Sequence, residues 1–140
     1  MFLITAFFTF PCWAWQDHKL FGEWRVTEFK FMPIAAMNKV EAEKWIGKVI
    51  VFNHSFAGFP EGHCQAPTYR FENEDTQSYF LGFRMLPGDL KVQTPKVLRA
   101  EVTCSGEEWD SPGATFVEIG KDKIAIPWDG VFFILKRQAK

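Results

Sequence analysis

The chain has 140 residues, enough for one domain and too few for two of ordinary size. It is 47% hydrophobic and 24% charged, with 16 Lys+Arg against 17 Asp+Glu, which excludes a disordered tail, a collagen-like fibre and a nucleic-acid binder with a large basic excess. Aromatic residues are abundant, with 16 Phe and 6 Trp, and the three cysteines make an odd count.

No charge occurs before Asp17, and residues 1–14 carry an apolar run centred on Phe2 to Phe10. The run is about half the length that a helix needs to cross a hydrocarbon core of ~30 Å, so no transmembrane span is expected. It has the size of a signal-peptide h-region, followed by Pro11 and then Cys12-Trp13-Ala14 ahead of a cut after Ala14. A basic n-region is missing, which a start upstream of Met1 would supply. The alternative is a buried amino-terminal strand. The expected organisation is a signal peptide over 1–14 and one β domain over 15–140, in a periplasmic or secreted protein.

Asn38-Lys39-Val40-Glu41 is a variant of the capping box, in which Asn38 accepts from the third backbone amide and Glu41 reaches back. Gly47 ends the short helix that follows, and Trp45 braces it against the rest of the fold. Val49 to Phe52 is apolar on both faces, as in a covered strand. Asn53 to Gln65, with Gly58, Pro60 and Gly62, reads as a loop. Tyr69 and Phe71 share a face between Arg70 and Glu72. Tyr79, Leu81, Phe83 and Met85 alternate with Ser78, Phe80, Gly82 and Arg84, which predicts another strand. Lys96 to Cys104 is the clearest half-buried strand, with Leu98, Ala100, Val102 and Cys104 on one face. Ser105 to Gly113 is a second loop.

Thr115 to Ile119, Ile124 to Trp128 and Val131 to Leu135 predict a three-stranded meander. Its last turn, Asp129-Gly130, suits a type I′ hairpin, where both central residues need positive φ. Pro127 donates no ladder hydrogen bond, so its strand lies at an edge or its amide position points outward.

Loss of Cys12 with the signal peptide leaves Cys64 and Cys104 as an even pair, which in an exported protein reads as a disulfide. Two buried thiols in a cytosolic protein are the alternative. The fold expected from these elements is all-β and mainly antiparallel: a small eight-stranded barrel or sandwich with one short helix.

Phe21-Gly22-Glu23-Trp24-Arg25-Val26 resembles the G-x-W start of the first strand in lipocalins and related calycin barrels. That resemblance implies that Trp24 plugs the closed end and that Arg137 or Lys136, from the last strand, packs across it. A cation over an indole contributes about 0.5–1 kcal/mol. The T-D-Y-type second motif and the long carboxyl-terminal helix of the family are missing here, so the resemblance extends to a lipocalin-like small barrel.

Nothing in the chain reads as a catalytic constellation, and the expectation is a protein that is not an enzyme. His54, Glu61, His63 and Cys64 share a loop, but their spacing matches no common metal site, so no metal or cofactor is expected. Ser55 beside His54 gains no base by adjacency. Glu107, Glu108 and Asp110 flank Trp109 as a solvated tip rather than as two carboxyls facing across a cleft.

Binding remains. Phe56, Phe59, Glu108, Trp109 and Trp128 fall on or beside loops as candidate anchors. Phe29, Phe31, Phe52, Phe83, Phe116 and Phe133 are the candidate lining of the barrel. Two functions follow: an exported carrier of a small apolar ligand in the barrel mouth, or an envelope inhibitor or immunity-type protein that binds a partner protein through loop residues.

Overall fold

A computed structural model describes residues 18–139, so the proposed signal peptide lies outside the described residues. Period-two alternation builds ten strands. They are β1 (Gly22–Phe31), β2 (Val49–Phe52), β3 (Ala57–Phe59), β4 (Gly62–Cys64), β5 (Pro67–Asp75), β6 (Lys96–Cys104), β7 (Glu107–Glu108), β8 (Thr115–Gly120), β9 (Lys123–Trp128) and β10 (Val131–Arg137). Two short helices, α1 (Lys39–Glu43) and α2 (Thr76–Leu81), and a 3₁₀ turn at Pro87–Leu90 complete the described elements. The strands form one antiparallel sheet in the order β4-β3-β2-β1-β10-β9-β8-β6-β5, with β7 also on β6, and the sheet curls into a half-barrel. The all-β fold therefore holds, with ten strands in place of eight and two short helices in place of one. The extra strands are short: β3 and β4 make a hairpin inside the segment read as a loop, and β7 has two residues.

The carboxyl-terminal meander forms as its sequence dictates. Asp129 and Gly130 both have positive φ, 50° and 79°, between the facing residues Trp128 and Val131. In a two-residue hairpin that closing pair exchanges hydrogen bonds, so the next pair, Pro127 with Phe132, does not. The β8–β9 ladder runs from Gly120–Lys123 to Val117–Ala125 and stops short of Pro127. Pro127 thus sits on an interior strand with no donor demanded on either side. A Cβ on Gly130 would collide with the Ile34 carbonyl and Ala35 Cα, so the turn needs glycine for space as well as for φ.

Over β8, β9 and β10 both faces of the sheet are covered. Inside the curl lie Trp24, Val26, Ile50, Phe52, Ala100, Val102, Phe116, Ile124, Ile126, Phe133 and Leu135, all buried. A bulge in β1 between Val26 and Glu28 shifts the alternation by one residue, so Phe29 and Phe31 continue the inner face after Trp24 and Val26. A second cluster holds Val97, Val117, Ile119, Ala125, Phe132 and Ile134 of the outer face under Tyr79, Phe80, Met85, Leu90 and Val92. This explains why Val131 to Leu135 is buried at every position.

That outer cover corrects the strand expected over Tyr79–Met85. Asp75 Oδ2 accepts from the Ser78 amide at 2.9 Å and starts α2. Tyr79, Phe80 and Phe83 then face the sheet at helical spacing, and Leu81, which alternation would bury, is 66% exposed. Phe83 accordingly packs outside the curl, not in the barrel lining.

The curled sheet is stapled across its gap by side chains. Cys64 on β4 and Cys104 on β6 form a disulfide with a Cα–Cα distance of 5.7 Å. The Tyr69 hydroxyl on β5 donates to the carbonyls of Asn53 (2.8 Å) and Phe56 (3.2 Å) in the β2–β3 turn. Phe21 lies against Tyr69, and His18 stacks on Phe71 with ring centroids 3.5 Å apart. Burial raises the Tyr69 phenol well above its ordinary value of 10.0, and burial does the same to Tyr79. The unfolded phenols ionise first, so their contribution to stability is complete below pH 10.0 and is lost as pH rises further. Tyr69→Phe should lower stability by about 1 kcal/mol and soften that alkaline fall, both measurable by thermal melts at pH 7 and in mild alkali. An unchanged melt at both pH values would remove Tyr69 from the staple.

Candidate functional site

At the β1 end of the curl, Trp24 is 1% exposed and its indole Nε1 donates to the Leu20 carbonyl at 3.1 Å. The Arg137 guanidinium carbon lies 4.2 Å from the centroid of the Trp24 ring. Arg137 also donates to the Phe21 carbonyl through Nη1 at 2.6 Å, to the Lys19 carbonyl through Nη2, and to Asp122 through Nε at 3.0 Å. These donors hold the segment Lys19–Phe21 across the barrel end. Gly22 makes room for this: its φ is +137°, and a Cβ there would come within 2.6 Å of Arg137 Nη1. Lys136, the other candidate cation, pairs with Lys123 and is exposed.

This end carries a cleft of about 470 Å³, walled by Phe21, Val51 and Phe52 and rimmed by Lys19, Glu23, Asn53 and Gln138. His18 stands beside it, its imidazole held below the ordinary value of 6.5 by burial and then by the Lys19 charge. The centre of the curl is filled. Phe52 stacks on Phe116 at 4.1 Å, and Trp45, next to α1, packs on Phe133 at 5.3 Å and on Phe59 at 5.2 Å.

The loop anchors read from the sequence divide. Phe59 is 5% exposed and belongs to the core, because the β3–β4 hairpin turns it inward beneath Trp45. Phe56 is half-buried and stacks on the His63 ring at 4.7 Å. Trp109 and Trp128 are half-buried against the inner core. Glu108 is exposed on β7. No shared pocket brings these five together among the described residues.

Sequence reasoning missed the connection between β1 and β2. Phe31-Met32-Pro33-Ile34-Ala35-Ala36-Met37 is apolar throughout, yet Pro33 to Ala36 are exposed and Ile34 is 72% exposed. Val40 and Ile46 follow on the same connection at 64% and 43%. Runs of exposed apolar residues are disfavoured on a free surface, and sequence alone would bury this one. The connection is pinned at many points. The Met32 amide donates to Gly130, and those of Ala36 and Met37 donate to Asp129. Asn38 Oδ1 caps α1 through the Glu41 amide at 2.8 Å, while Met37 and Ala42 are buried. Gly47 donates to the Val26 carbonyl at 2.8 Å and returns the chain to the sheet.

Among the described residues, no three His, Cys, Asp or Glu side chains gather as a metal site. No described helix is long and apolar enough to cross a membrane. No protein-family model, curated protein or solved structure matches this chain.

Proposed function

We propose that this chain is an exported, non-enzymatic binding domain that holds a protein partner on the lip made by the β1–β2 connection, along which Ile34, Val40 and Ile46 are exposed. The observation that carries this reading is the exposed apolar run at Pro33–Ala36 on a connection already fixed by backbone bonds to the β9–β10 turn. A rigid apolar surface loses little entropy on binding, so its buried area translates efficiently into affinity. The Cys64–Cys104 disulfide supports export, since such bonds persist in oxidising compartments. The filled interior supports an outward-facing function over a ligand carried within the curl.

Recovery from an envelope extract tests the proposal. Ile34→Asp/Val40→Asp should cut retention of the partner at least about tenfold, the effect of losing 1.4 kcal/mol or more, with an unchanged melting temperature. Glu108→Ala/Trp109→Ala should keep the partner. Retention by the lip variant and loss by the Trp109 variant would move the site to the β7 tip.

A second reading has one observation in its favour. The cleft beside His18 has apolar walls in Phe21, Val51 and Phe52 and a volume suited to a small apolar ligand. A co-purified small molecule seen by native mass spectrometry would favour the carrier.

A further inference from the structure

The strand β5 ends the sheet, and no described strand pairs with its other side. Its backbone polarity follows from its neighbours. The Val102 amide donates to Ala114, so even-numbered residues of β6 turn their amides towards β8 and odd-numbered ones towards β5. Arg99, Glu101 and Thr103 face Glu72, Arg70 and Thr68, which are therefore the hydrogen-bonded pairs of the β5–β6 ladder. Tyr69, Phe71 and Asn73 consequently turn their amides and carbonyls outward, and among the described residues no backbone group takes them up. Pro67, which has no amide, and Asp75, which caps α2, bound this window at equal distances from Phe71.

The window is self-complementary in charge. A second copy laid antiparallel on β5 with Phe71 on the two-fold axis places Arg70 opposite Glu72 of the other copy, and Glu72 opposite its Arg70. Tyr69 then faces Asn73, and Thr68 faces Glu74. Phe71–Phe71 and Tyr69–Asn73 become the hydrogen-bonded pairs, which gives about six new backbone bonds. Arg70 and Glu72 fall in the closer, non-hydrogen-bonded pairs, where opposite charges interact best. Both side chains are exposed and already lie in an ion-pair ladder with Arg99 and Glu101, so the second copy extends that ladder across the axis. A register slipped by two residues centres the axis on Arg70 or on Glu72 and sets Arg70 against Arg70 or Glu72 against Glu72, like charges in either case.

We infer that β5 is a dimerisation edge, on which a second copy of this chain adds in antiparallel register about Phe71 to continue the sheet. This stands apart from the lip proposed for a partner and does not depend on it.

Analytical ultracentrifugation of the full chain tests it. Wild type should show a concentration-dependent dimer. Asn73→Pro removes an outward amide without touching the β5–β6 ladder, and should weaken the dimer at least about tenfold while the melting temperature of the monomer holds. Arg70→Glu and Glu72→Arg should each be monomeric at concentrations where wild type is dimeric, because each sets like charges opposite one another in both pairs. Mixed together, the two variants should restore a heterodimer, since the first then offers glutamate at both positions and the second offers arginine at both. A wild type that stays monomeric at every concentration would overturn the inference. So would a dimer that survives Asn73→Pro, or two charge variants that fail to recombine while both remain folded.

Discussion

Trp24→Ala is expected to lower stability by about 3–5 kcal/mol, the range for removing a buried aromatic from a packed core. Trp24 is almost fully buried, its indole donates to Leu20, and Arg137 covers its face. The alanine would leave a void under the guanidinium and release the Lys19–Phe21 segment that closes this end. Arg137→Lys separates the parts of this device. Lysine keeps the charge over the indole but cannot donate to Phe21, Lys19 and Asp122 at once, so a loss of about 1–2 kcal/mol is expected. Denaturant titration of the three proteins checks both values. An Arg137→Lys protein as stable as wild type would mean that the fork of carbonyl contacts contributes nothing and that charge alone matters. This closure also supplies a physical reason for glycine at position 22, since a side chain there would displace Arg137 Nη1.

Opening the Cys64–Cys104 disulfide is the second large effect. The bond spans 40 residues of sequence, and the chain-entropy treatment gives it roughly 3–4 kcal/mol. For a domain of this size that is a fall of about 10 °C or more in melting temperature. Cys64→Ala/Cys104→Ala, or wild type in reductant, should show the loss, and reductant should then leave the double variant unmoved. The damage should be local at first. The β3–β4 hairpin holds to the sheet through the short β2–β3 ladder and the Tyr69 hydroxyl, so its amides should lose hydrogen-exchange protection before those of β9 and β10. A double variant with the melting temperature of wild type would show that the curl closes by packing alone.

Some of this molecule was legible from residue types. Asp129-Gly130 between apolar runs left one turn geometry open, and the structure has it. The even cysteine pair and the alternation of Lys96–Cys104 pointed to a disulfide beside a half-buried strand, which is what β4 and β6 make. Asn38 capped its helix for the same local reason that it was singled out.

The segment from Tyr79 to Met85 was not legible by alternation. With apolar residues at positions 79, 80, 81, 83 and 85, a period of two and a helical stripe fit almost equally well. Asp75, whose carboxylate caps Ser78, was the local signal that separates them. The outer face of β10 needed a cover, and Val131 to Leu135, apolar at every position, had already implied one. The proposed binding surface was hidden for a different reason. Loop aromatics drew attention as anchors, yet Phe59 is turned into the core by a three-residue strand too short to read from sequence. The exposed side chains of the lip, Ile34, Val40 and Ile46, are aliphatic, and its mark is exposure of a run that sequence alone would bury.

Site-specific photo-crosslinking in the living source cell tests whether the chain acts through the β1–β2 connection. A benzophenone side chain at position 34 should give one discrete adduct with a second protein, while the same probe at exposed Leu81 on α2 should give none. An adduct from position 81 and none from position 34 would move the partner off the β1–β2 connection.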